Sequence, residues 1–205
     1  MWSWLANNAA LVQVTLSGVT AFVWIVYLQI IVSSLRHQRR TEILIHLVGS
    51  RGLNARTFIS NLGLEPVYLL EIMLTIWSSD GKRETSVVNR TERGKDEVSS
   101  PSAATFQGPL KSSDFVDIGS IENLIERARL NTAADLEPGE ITQIEVTVAA
   151  NSAATSTIVA AQRTFNVTLI DGDYCLCPLT LYAKQLRSWW ARYRVRQRLL
   201  YHLGQ

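Results

Sequence analysis

Charge is missing from the first 35 residues of this chain, and acid is missing after Asp173. Cysteine is scarce as well: Cys175 and Cys177 are the only two, one residue apart in Cys-Leu-Cys. That spacing strains a mutual disulfide, and no further pair of ligands stands nearby for a structural zinc site. A disulfide scaffold is therefore excluded, and in an extended segment the two thiols point to the same face. The three histidines, His37, His46 and His202, are scattered. None has a Cys, Asp or Glu at metal-ligand spacing. There is no HExxH, Walker A, GxSxG or GxGxxG motif. Asp171 and Asp173 flank a glycine but lack the further oxygen ligands of a calcium loop, so a hairpin turn is expected there. Glu122 and Glu126, with Arg127 and Arg129 beside them, read as an ordinary exposed helix face. The expectation is a non-enzymatic chain without catalytic, cofactor-binding or metal-binding residues.

What charge there is lies in blocks. Arg36, Arg39 and Arg40 follow the uncharged stretch. Residues 41–173 hold all 18 acidic residues against 11 basic ones, a net of −7, and residues 174–205 carry six cations. The total of +2 thus hides an acidic domain between two basic segments, each suited to anionic headgroups or an acidic partner.

Residues 9–35 form an uncharged apolar run longer than the 20 or so helical residues that cross a hydrocarbon core of about 30 Å. A cleavable signal peptide has a positive n-region and a shorter apolar run, so the sequence predicts a single-pass anchor over residues 1–40. The flanking positive charge is all C-terminal, and Trp2 and Trp4 suit the opposite headgroup belt. This predicts the N-terminus outside and the rest cytoplasmic, at the cell (inner) membrane. The sequons beginning at Asn89 and Asn166 are discounted. Gln13, Ser17, Thr20, Trp24 and Tyr27 recur every three or four residues and share one face. Polar side chains on such a face pack against another membrane helix, from a second copy or another subunit. The competing reading is that the hydroxyls bond their own helix.

Residues 41–178 are predicted to be mainly β. Short strands are expected over residues 42–48, 57–61, 67–77, 84–89, 115–118, 144–148, 165–169 and 174–177, with turns at Asp80-Gly81 and Asp171-Gly172. A long mobile loop is expected over residues 90–113, re-entering the fold at Gly108-Pro109-Leu110. Ser120 caps one expected helix over residues 121–130, which buries Ile121, Leu124, Ile125 and Ala128. With no βαβ alternation, an antiparallel β-sandwich is the expected architecture. Asn61-Leu62-Gly63 resembles the asparagine-glycine corner of immunoglobulin-like modules, which makes an immunoglobulin-like arrangement one form that this sandwich can take.

Residues 179–205 read as a basic amphipathic helix. Leu186, Trp189, Trp190, Tyr193 and Leu200 form an apolar stripe, with Lys184, Arg187, Arg192, Arg194, Arg196 and Arg198 around it. Adjacent tryptophans among arginines favour contact with anionic lipid or a membrane complex. Packing on the chain's own domain comes next, and nucleic acid is the least favoured partner. Together these features predict an accessory or scaffold protein that docks on a larger membrane complex. The alternatives are a membrane-tethered ligand-sensing or signalling module, which needs a polar-lined pocket, and a tethered enzyme, which needs a clustered acid, base or metal constellation.

Overall fold

The computed structural model describes residues 8–38, 41–89, 104–132, 138–152 and 157–203. Trp2, Trp4, Arg39, Arg40 and residues 90–103 of the expected loop lie outside them. The chain divides into two compact units, Met1–Arg40 and Thr41–Gln205.

The described part of the first unit is one helix, α1 (Ala9–Gln38), about 45 Å long at 1.5 Å per residue. Its stretch Ala9–Ser34 is long and apolar enough to cross a membrane, with a mean hydropathy of 1.9. Thr15 and Thr20 return their hydroxyls to carbonyls one turn back, Thr20 Oγ1 donating to Leu16 O at 2.8 Å. These two hydroxyls are thus satisfied within the helix.

The second unit is mainly antiparallel β. Its strands are β1 (Ile43–Val48), β2 (Arg56–Asn61), β3 (Val67–Ser78), β4 (Gly81–Ser86), β5 (Gly108–Leu110), β6 (Phe115–Ser120), β7 (Ile141–Ser152), β8 (Ile158–Ile170), β9 (Asp173–Pro178) and β10 (Lys184–Gln185). Two helices join them, α2 (Ile121–Thr132) and α3 (Trp189–Leu203). A three-stranded sheet has the order β1-β2-β6. The larger sheet runs β10-β8-β7-β3-β4, with β5 pairing β3 and β9 pairing β8.

Alternation sets which face each strand buries. Ile43, Ile45, Ile59 and Ile118 of the small sheet join Leu69, Ile72, Leu74, Ile76, Val146, Val148 and Phe165 of the large one in one hydrophobic core. Each such side chain contributes about 1.5 to 3 kcal/mol on leaving water. Ser120 caps α2, its Oγ accepting the Asn123 amide at 3.2 Å, and Ile121, Leu124, Ile125 and Ala128 face this core. Between β8 and β9, Asp171 and Gly172 both have positive φ, the signature of a two-residue type I′ turn. Gly108–Leu110 does re-enter the fold, as β5 against the first residues of β3.

Two expectations are corrected. The segment after Pro178 is not helical from residue 179. It bends through residues 179–182 and meets β8 again as the two-residue strand β10, with the Leu179 amide on Thr164 O and the Leu186 amide on Ala160 O, because β8 offers an unpaired edge. The helix starts only where Ser188 caps it, accepting the Ala191 amide at 3.2 Å. Secondly, Arg127 does not belong to an exposed face: it is 1 % exposed. It lies three residues beyond Leu124 on the buried stripe, and its Nη1 donates to Ile118 O at 3.0 Å and Val87 O at 3.4 Å. The guanidinium sits 5.0 Å from the Phe106 ring centre. The buried cation is thus satisfied by carbonyls and an aromatic face.

Candidate functional site

α3 lies on the face of the large sheet that points away from the core. Its Val195 and Leu199 are buried against Met73 of β3, Ala149 of β7 and Ala160 of β8, with Leu186 and Ile158 packed around them. Small residues make this patch of the sheet shallow, so one Val and one Leu a turn apart suffice to seat the helix. Arg198 Nη1 adds an ion pair at 3.5 Å to Glu84 Oε2 on β4.

The stripe expected from sequence, Leu186, Trp189, Trp190, Tyr193 and Leu200, is mostly turned outward. Trp189 and Trp190 are each 67 % exposed, and Tyr193, Leu200 and Tyr201 are exposed beside them. Trp189 meets Trp190 edge-on at 4.6 Å between ring centres and stacks near Tyr193 at 6.0 Å, forming an aromatic cluster on the surface. Arg187, Arg194 and Arg196 are exposed around it, whereas Arg192 and Arg198 are half-buried. Every charge on α3 is positive. The sequence therefore located an exposed aromatic and basic face, whereas the residues that hold the helix, Val195 and Leu199, lie outside the expected stripe. Their spacing of four was the available signal.

On α1 the residues Gln13, Ser17, Thr20, Trp24 and Tyr27 are all exposed. Trp24 and Tyr27 touch edge to face, 6.0 Å between centres. The Thr20 hydroxyl is taken by its own helix, so the Gln13 amide is the strongest hydrogen-bonding group left on that face.

A second surface feature, unforeseen from sequence, lies where the edge of β1 approaches β8. There Gln185 pairs with the Ile43 backbone like a strand, Nε2 donating to Ile43 O at 2.6 Å and Oε1 accepting the Ile43 amide at 3.3 Å. Arg163 Nη1 caps Ile45 O and Nη2 reaches Leu181 O, while the guanidinium packs 5.3 Å from the Phe165 ring centre. Beside them is a groove of about 470 Å³ lined by His46, Ser50, Arg51, Arg163, Phe165 and Cys177 among others, with no carboxylate among the described residues of its wall. The two arginines make it cationic. Among the described residues no cluster of three His, Cys, Asp or Glu could hold a metal ion. Cys175 and Cys177 are free thiols on one face of β9, with Leu176 between them turned to the core. Cys177 Sγ lies 3.6 Å from Thr168 Oγ1.

His46 stacks on Phe58 at 5.6 Å, and its Nδ1 is buried without a partner. Burial, and secondarily the charge of Arg163, lower its pKa below the ordinary imidazole value. The unfolded chain therefore takes up this proton at a higher pH than the folded one. The stability that follows is complete above about pH 6.5 and is lost as pH falls through the folded pKa. The urea midpoint of the full chain in detergent is expected to be lower at about pH 5.5 than at about pH 7.5, and H46F, which keeps a stacking ring, should shrink that difference. A difference unchanged in H46F would assign the slope to carboxylates instead.

No family model, characterised protein or solved structure matches this chain. The functional reading therefore rests on its own surfaces.

Proposed function

We propose that this protein is a single-pass, membrane-anchored accessory or scaffold subunit without enzymatic activity. In this reading α1 crosses the cell (inner) membrane with its N-terminus outside, and residues 41–178 form a cytoplasmic β-sandwich, for which an immunoglobulin-like arrangement is one form, that serves as an interaction module. The observation that carries the proposal is α1 itself: an uncharged run whose apolar side chains stand exposed from Leu11 to Val32. Exposed apolar area on that scale calls for lipid or another chain to cover it. The basic residues after it support the orientation, since positive charge collects on the cytoplasmic side. The two sheets facing one core support the sandwich reading.

Docking within the membrane falls to the face of Gln13, Ser17, Thr20, Trp24 and Tyr27, against another subunit or a second copy. Mild detergent extraction of the full chain should recover it with α1 intact and in a complex larger than the monomer. Replacing Gln13, Ser17 and Thr20 with Leu should reduce that recovery by about tenfold, since each interhelical polar contact contributes about 0.5 to 2 kcal/mol. Most of the loss should follow Gln13. A chain that is monomeric from the outset, and indifferent to the substitutions, would overturn the accessory reading.

A further inference from the structure

We infer that the outward face of α3 is a lipid-binding surface that lies on an anionic bilayer, an inference that rests on the membrane-anchored reading and names a second partner for it. α3 carries two apolar faces with different jobs. Val195 and Leu199 fasten it to the sheet. On the other side, Trp189, Trp190 and Tyr193 form a cluster that stands largely exposed. Burying large aromatics is among the strongest packing gains a helix can make, so a helix that seats itself with one Val and one Leu and leaves two adjacent tryptophans in water has a second surface to cover.

The chemistry of that second surface is fixed by what surrounds the rings. Arg187, Arg194 and Arg196 ring them, and no acid occurs anywhere after Asp173. Indole and phenol rings with an apolar body and a polar edge favour the headgroup zone, and arginines beside them reach the phosphates. The ten residues before α3 expose Leu179, Leu181 and Tyr182 as well, held in place through the Arg163 contact to Leu181 O. An α-helix lying flat with aromatics downward and cations around them is the usual form of an interfacial helix. A second helix of protein would need acidic residues to match, and single-stranded nucleic acid would stack on the same rings. Both are outcomes of the test.

The test uses the full chain in lipid nanodiscs, with Cys175 and Cys177 replaced by Ser and an environment-sensitive fluorophore on Q197C, an exposed position on the outward side of α3. Discs are either wholly zwitterionic or about one-third phosphatidylserine. In the anionic discs, access of an aqueous quencher to the label should fall about threefold or more relative to the zwitterionic ones, and about 0.5 M salt should abolish the difference. Replacing Arg187, Arg194 and Arg196 with Gln should return the ratio to about one, as should W189A/W190A. Neither set should change the urea midpoint of the β unit, because none of these side chains holds α3 to the sheet. Equal quenching in both kinds of disc would overturn the inference while leaving the anchored reading intact. Protection that arises only on adding single-stranded RNA, or only at high protein density, would overturn it in favour of nucleic acid or a second copy. A chain that does not enter the discs would overturn the anchored reading and this inference with it.

Discussion

Replacing Asn61 with alanine is expected to lower the stability of the β unit by about 3 kcal/mol or more. Asn61 is fully buried, and its side-chain amide ties its own corner to the segment that ends β5. Oδ1 accepts the Gly63 amide at 2.9 Å, while Nδ2 donates to Glu65 O at 2.9 Å and to Leu110 O and Lys111 O at 3.2 Å. Its backbone does the same for the return of the chain, exchanging bonds with Asp114 O and the Ser113 amide. Alanine would strand one amide and up to three carbonyls in a place water reaches poorly, at about 1 to 3 kcal/mol for each group left unmade. Asn61→Asp should be no milder, because a carboxylate keeps the Gly63 bond but faces three carbonyls with no proton to donate. The measurement is the urea midpoint of the full chain in detergent, which should fall by about 1 M or more. A shift under a third of that would show that these bonds are replaced by solvent. Gly63 is part of the same corner: a Cβ there would stand 3.0 Å from Thr41 Cα.

The second large effect is expected at Arg127. Truncation to alanine removes the donor for Ile118 O and Val87 O, takes the cation from the Phe106 ring and leaves a cavity the length of the side chain. Two carbonyls left unmade, at about 1 to 3 kcal/mol each, together with the cavity, cost about 3 to 5 kcal/mol. For a unit of this size that corresponds to a fall of roughly 10 °C in Tm. Arg127→Lys should recover only part of it, since an ammonium cannot serve both carbonyls and lie flat on the ring. Gly119, at φ +100° with Arg127 Nη2 3.2 Å from where its Cβ would sit, leaves the room that the guanidinium uses. A melt unchanged in R127A would mean that the side chain is a passenger in the core.

These two residues mark where sequence reasoning reached and where it stopped. Asn61 was legible because an asparagine two residues before a glycine, between two apolar strands, is turn chemistry with a local cause. The same holds for Ser120 before α2 and for the alternation of Ile144, Val146 and Val148. Arg127 was not legible, because a charge on a helix is read as exposed unless its partners are known, and Val87 and Phe106 are brought to it only by tertiary packing. The aromatics of α3 were legible as a surface feature because adjacent tryptophans among arginines suit a partner outside the domain. How the helix is held was not: the sheet beneath presents Met73, Ala149 and Ala160, a shallow surface that Val195 and Leu199 match. The groove beside His46 joins residues from β1 and β8, more than a hundred positions apart, and no local pattern announces such a meeting.

The order in which the large sheet can assemble follows from its register. β7, β8 and β9 are neighbours in sequence, and their last turn needs only Asp171 and Gly172, so this meander can form within microseconds of the chain's collapse. The ladder between β3 and β7 is different: it aligns Val67 with Ser152 and Ile76 with Ile144, contacts that require a long intervening segment to be closed first. Until that happens, β7 presents a free edge carrying Ile144, Val146 and Val148, the kind of strand that pairs with a copy of itself. The longer β3 takes to dock, the longer that edge would stand open to pairing with another chain, so contact order ties the folding of this unit to its solubility.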